Sequence, residues 1–132
     1  MRICLDTSAY SQFKRGEPSA VEIISSARVV GMPAIVLGEL RCGFQLGAQR
    51  GRNEKELEAF LANSAVQVFD VDDTAASQYA DIVAALRTAG KPIPSNDIWI
   101  AAIAAREGAE VVTYDHHFAH IQRVGVRILG HW

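Results

Sequence analysis

Residues 91–118, KPIPSNDIWIAAIAAREGAEVVTYDHHF, are the stretch whose reading decides the fold. Pro92 and Pro94 keep its opening out of helix, and Ser95 is placed to cap a first turn, so a helix is predicted from about Asn96. Residues 98–105 are apolar on every face, which a helix standing in water would not be, and Gly108 suits a left-handed helix end. Residues 110–113 (EVVT) are a short β-prone run with Asp115 just beyond it. Asp97 at a helix start and Asp115 at a strand exit can converge, because ligands of open α/β sheets bind beyond the carboxyl ends of the strands.

The chain before this stretch repeats the pattern. Residues 2–5 (RICL) read as a first, central strand ending at Asp6, in the position that Asp115 takes after the later strand. Thr7 or Ser8 is suited to cap a helix over 9–14, which Gly16 and Pro18 interrupt, and a second helix is predicted over 20–27. Val29 and Val30 form a weak strand. Pro33 fits the first turn of a helix that runs to about Leu46, with Glu39 inside it. A basic loop over 47–53, a helix over 54–62, a strand over 66–69, a helix from Asp72 or Asp73 to Leu86 with Gly90 as its stop, and a last, edge strand over 126–129 complete the reading. Alternation of this kind predicts one domain, residues 1–132, folded as a three-layer α/β/α sandwich with a mostly parallel central sheet. The strand order does not follow from the pattern.

The 132 residues are 49% hydrophobic and 21% charged, with a formal net charge of −2, so any contact with nucleic acid comes from a local patch and not from a broad basic surface. Two cysteines without CxxC spacing predict buried free thiols, and no apolar run approaches the length of a membrane span. The expectation is a soluble cytoplasmic protein.

Asp6, Glu39, Asp97 and Asp115 stand apart from the other acids because each lies at an element end or on a mostly apolar helix. Singly, each has an ordinary explanation as a cap, a turn residue or a partner of the helix dipole. Gathered together they would raise one another's pKa, and a cluster of carboxylates then needs protons or a divalent cation. An oxygen-only donor set points to Mg²⁺ or Mn²⁺, with Asp6, Asp97 and Asp115 as ligands, and to metal-assisted phosphodiester hydrolysis. Thr7 and Thr113 carry hydroxyls beside these acids, and Asn96 is positioned to orient Asp97. His116, His117 and His120 read as a solvated segment and not as a transition-metal site. Tyr10, Phe13, Trp99 and Tyr114 read as packing residues before base-stacking ones. Arg50 and Arg52, with Lys55, are the candidate contacts to a phosphate backbone.

The motifs ICLDTSAY, IVLGELRCG and SNDIWIAAIAAREGAEVVTYDHHF together resemble the PIN-domain ribonucleases, in particular the VapC-type toxins of toxin–antitoxin pairs. The resemblance covers nearly the whole chain and is most specific in Asp97 with the IWIAA after it, and in Thr113, Asp115 and Phe118. It implies an acidic pocket of Asp6, Glu39, Asp97 and Asp115, cleavage of RNA with Mg²⁺ or Mn²⁺, often in a tRNA or rRNA loop, homodimerisation, and restraint by a small cognate antitoxin. A PIN-like binding module without turnover and a PIN nuclease that is not a toxin are the alternatives. A haloacid-dehalogenase-type phosphatase is disfavoured because Ser8 stands where its second aspartate would be.

Overall fold

The computed structural model describes residues 1–130. Five strands, β1 (Arg2–Leu5), β2 (Val29–Pro33), β3 (Val66–Phe69), β4 (Glu110–Thr113) and β5 (Val126–Ile128), form one sheet in the order β3-β2-β1-β4-β5. Every neighbouring pair is parallel. Six helices connect them: α1 (Thr7–Lys14), α2 (Pro18–Ser26), α3 (Ala34–Leu46), α4 (Arg50–Leu61), α5 (Asp73–Ala89) and α6 (Ser95–Glu107). A single 3₁₀ turn, His116–His120, lies between β4 and β5.

This order explains where a site can form. The chain leaves β1 toward β2 and β3, then crosses back to place β4 on the opposite side of β1. Right-handed crossovers in the two directions put their helices on opposite faces of the sheet, and the reversal opens a crevice above the carboxyl ends of β1 and β4. The β1–β4 register pairs Ile3 with Glu110, Cys4 with Val111 and Leu5 with Val112, so Asp6 and Thr113 are the next residues in line.

The three central strands, β2, β1 and β4, are buried on both faces, whereas the outer strands β3 and β5 are partly exposed. Ile3, Cys4, Leu5, Val111, Val112 and Thr113 have no exposed surface, and Ala101 to Ala104 of α6 are equally enclosed. A helix apolar all round is what a position against both sheet and helix requires, and α6 packs on β1, β2, β4, α3 and α5. Tyr79 of α5 stacks on Trp99 of α6, ring centroids 4.2 Å apart, while Tyr10 and Phe13 of α1 meet Phe60 of α4. Gly31 of β2 is fixed by a close approach: a Cβ there would lie 1.9 Å from the Phe69 ring of β3. Gly90 and Gly108 end α5 and α6 in the left-handed conformation, at φ +68° and +62°; Gly90 is the stop, and Gly108 the left-handed end, that the sequence predicts.

Several local expectations need correction. Asp6, and neither Thr7 nor Ser8, caps α1, which starts at Thr7. Pro18 opens α2 instead of separating two elements, since its missing N–H is no loss at the first helical position. Pro33 is the last residue of a longer β2 and not part of α3. The basic segment expected as a loop is the first turn of α4, so Arg50 and Arg52 are helical. Ser95 makes no side-chain cap; the residue preceding α6 is Pro94, and the helix continues to Glu107. The histidine segment is a 3₁₀ turn. Cys4 is buried, but Cys42 is exposed on α3. Among the described residues no helix is long and apolar enough to cross a membrane.

Candidate active site: a carboxylate cluster at the sheet crevice

Asp6 is the most deeply held acid, 5% exposed at the end of β1. Its Oδ1 accepts the Ala9 N–H (2.9 Å) and the Ser8 hydroxyl (2.7 Å), and its Oδ2 accepts the Thr113 hydroxyl (2.5 Å). The Thr113 oxygen in turn accepts the Asp115 N–H at 2.8 Å, and Ser8 Oγ accepts the Tyr114 N–H at 3.0 Å. One buried hydroxyl thus links the carboxylate after β1 to the backbone that carries the carboxylate after β4. Adjacent register positions at the ends of parallel neighbours make this link possible.

Glu39 enters from α3 and is held at both oxygens. Thr7 Oγ1 donates to Oε1 at 2.6 Å and Asn96 Nδ2 donates to Oε2 at 3.4 Å. Asn96 therefore serves Glu39 and not Asp97, its neighbour in sequence. A half-buried helical glutamate without a basic residue on its own helix face finds its donors on α1 and α6 instead.

Asp97 lies in the first turn of α6 and senses the whole group. Its carboxyl is pushed up to about 6, by burial first, then by the charges of Asp115, Asp6 and Glu39, with His117 acting in the opposite sense. Burial also raises the Asp6 carboxyl, with Asp115 adding to the effect; the three hydrogen bonds from Thr113, Ala9 and Ser8 offset part of it. Helix dipole alone would move Asp97 the other way, so the ordinary explanation of an acid in a first turn does not account for this one.

Asp115 caps the 3₁₀ turn by accepting the His117 N–H at 2.9 Å, and the same turn brings His117 Nδ1 to 3.2 Å from Asp115 Oδ1. Asp97, Asp115 and His117 each offer one ligand atom, and these atoms lie within 4.8 Å of one another. Asp6 and Glu39 border this trio and are not part of it. His117, which the sequence reading sets aside with His116 and His120 as a solvated segment, is the one of the three histidines that the structure brings to the acids. Its signal is the Asp-x-His spacing, since an aspartate that accepts the N–H two residues on folds that residue back over its own carboxylate. His116 and His120 stay exposed and do not join the group.

A divalent cation fits this donor set: carboxylates held together against their own repulsion, with an imidazole as the one nitrogen donor. Arg50 and Arg52 are exposed on α4, and Arg52 Nε is 3.2 Å from Glu56 on the same helix. Arg52 lines a groove of about 330 Å³ with Tyr10, Lys14, Arg15 and Phe44. Tyr10 and Trp99 are engaged in ring packing, as expected from the sequence.

Comparison with known proteins adds an independent line. The PIN domain family model matches residues 3–124. Ribonuclease VapC5 of Mycobacterium tuberculosis is 30% identical over 115 residues, covering 87% of this chain and 84% of that protein. The crystal structure of DNA-bound VapBC from Salmonella typhimurium matches with a TM-score of 0.84 and 27% identity, covering 97% of this chain and 98% of the other. VapBC-5 from Mycobacterium tuberculosis, a member of the VapBC family of toxin–antitoxin systems, matches with a TM-score of 0.73 and 27% identity, covering 97% and 98% of the two chains.

Proposed function

This chain belongs to the PIN-domain family, and on that premise we propose that it is a metal-dependent endoribonuclease, a single nuclease domain over residues 1–132 that acts as the toxin of a type II toxin–antitoxin pair. The observation that carries the reading is the meeting of four acids from four separate segments at one crevice, felt at Asp97 as a carboxyl raised to about 6. The ribonuclease and toxin–antitoxin relatives support the choice of RNA as substrate and of a cognate antitoxin as partner. A structured tRNA or rRNA loop is the proposed target class, and the homodimer is the proposed assembly; both rest on the family resemblance.

Asp97 and Asp115, with Asp6 beside them, would hold the cation, Mg²⁺ or Mn²⁺ in this proposal. Once bound, it would supply Lewis-acid polarisation of the scissile phosphate and acidify the attacking water. The remaining steps belong to the chain. Thr113 fixes Asp6 through Oδ2, and Ala9 and Ser8 fix it through Oδ1. Thr7 holds Glu39 by Oε1 at 2.6 Å, and Oε2, which takes only the longer 3.4 Å contact from Asn96, is the oxygen that would accept the proton of the attacking water. Arg50 and Arg52, exposed on α4, are the proposed contacts to the RNA backbone.

Purified protein freed of antitoxin is expected to cut a structured RNA endonucleolytically with Mg²⁺ or Mn²⁺, to stop in EDTA, and to leave a DNA of the same sequence intact. Cleavage that continues in EDTA and in the Asp6→Asn variant would overturn the assignment.

A further inference from the structure

His117 has no part in the oxygen-only donor set expected from the sequence, yet it is the third ligand atom of the one compact trio among the described residues. Its ring sits over Asp115 because of two contacts from one turn: the backbone N–H to Oδ1 at 2.9 Å and Nδ1 to the same oxygen at 3.2 Å. The turn is anchored from below by Phe118, which is fully buried, so the position of residue 117 follows from packing and not from a loose surface loop. The His117 side chain remains 60% exposed and so is free to turn its ring toward a cation. The groups it shares the crevice with are the carboxylates of Asp97 and Asp115.

Nitrogen and oxygen ligands discriminate between hard and borderline cations. Mg²⁺ favours oxygen donors and retains its waters, whereas imidazole favours first-row transition metals. We propose that His117 is a metal ligand that biases this centre toward a first-row transition dication over Mg²⁺, acting with Asp97 and Asp115. The inference rests on the nuclease reading of the same site, but concerns which ion it holds and not whether RNA is cut.

The test is binding of Mn²⁺ and of Mg²⁺, measured by calorimetry, together with pulsed EPR of the Mn²⁺ complex, on the wild-type chain and the His117→Ala, His117→Asp and Asp97→Asn variants. The wild type is expected to show ¹⁴N coupling to bound Mn²⁺. That coupling disappears in His117→Ala, whose Mn²⁺ affinity falls about tenfold while Mg²⁺ affinity changes little. His117→Asp, which returns an oxygen at the same place, is expected to regain affinity with its preference moved toward Mg²⁺. Mn²⁺ binding that depends on Asp97 but shows no ¹⁴N coupling and an unchanged Mn²⁺/Mg²⁺ ratio in His117→Ala overturns this inference and leaves the nuclease reading standing. Absence of any Asp97-dependent binding overturns both.

Discussion

Asp97 carries the largest electrostatic conflict in the crevice, and its behaviour follows from which neighbours surround it. With the carboxyl raised to about 6 by burial and by Asp115, Asp6 and Glu39, protons compete with a cation for the same oxygens below that pH. Cation affinity and RNA cleavage are therefore expected to rise from pH 5 to pH 7 and to level off above, which a pH profile of the cleavage rate at subsaturating metal would check. Thr113 is the second residue on which the geometry turns. Replacing it by Val removes the hydroxyl that serves Asp6 Oδ2 and the Asp115 N–H together, leaving a buried acceptor and a donor unmet. The expected loss is about 1–3 kcal/mol of stability by chemical denaturation, with cleavage reduced as well. The acids are legible as candidates because Asp6, Asp97 and Asp115 stand at element ends and Glu39 on a mostly apolar helix. His117 is not, because a local turn and not a periodic pattern brings it into place.

At the scale of elements, β2 and β3 show how tightly the sheet limits its own sequence. Gly31 leaves room for the Phe69 ring of the neighbouring strand, where an added methyl would meet Cε2 at 1.9 Å. Gly31→Ala is expected to cost about 1–3 kcal/mol through overpacking. Phe69→Leu should offset part of it, so the double variant is destabilised by at least about 1 kcal/mol less than the sum of the single ones, as a denaturation cycle would measure. The helices α5 and α6 are readable from apolar spacing, flanking prolines and the glycines that stop them. The start of α4 is not: its opening turn, Arg50 to Asn53, has no apolar stripe and no cap to separate it from a loop. Pro18 and Pro33 mislead for a related reason, since a proline beside a helix start fits the last residue of a strand, a break or the first helical turn equally well, and only the packed neighbours choose.

For the molecule as a whole, the strand order is the fact that makes a site out of scattered acids, and it is not legible in the chain because pairing of parallel strands is a long-range choice. Once β4 lies beside β1, Asp6 and Thr113 become neighbours, and α3 and α6 deliver Glu39 and Asp97 to the same edge. The central claim is that the fold assembles this charge at a cost that a cation relieves. Free in the unfolded chain, the Asp97 carboxyl titrates near 3.8; folded, near 6. The stability associated with its bound proton is present below pH 4 and lost as pH rises through 6. At pH 7.5 and without metal, the ionised group then destabilises the fold by on the order of 1–2 kcal/mol, after discounting for its partial exposure to water. The direct test is the melting temperature of the wild type and Asp97→Asn in EDTA and in saturating Mn²⁺ at pH 7.5. The variant should melt several degrees above the wild type in EDTA, at about 4 °C per kcal/mol, and only the wild type should gain on adding Mn²⁺. A variant that melts no higher than the wild type in EDTA, and that gains as much from Mn²⁺, would contradict the claim.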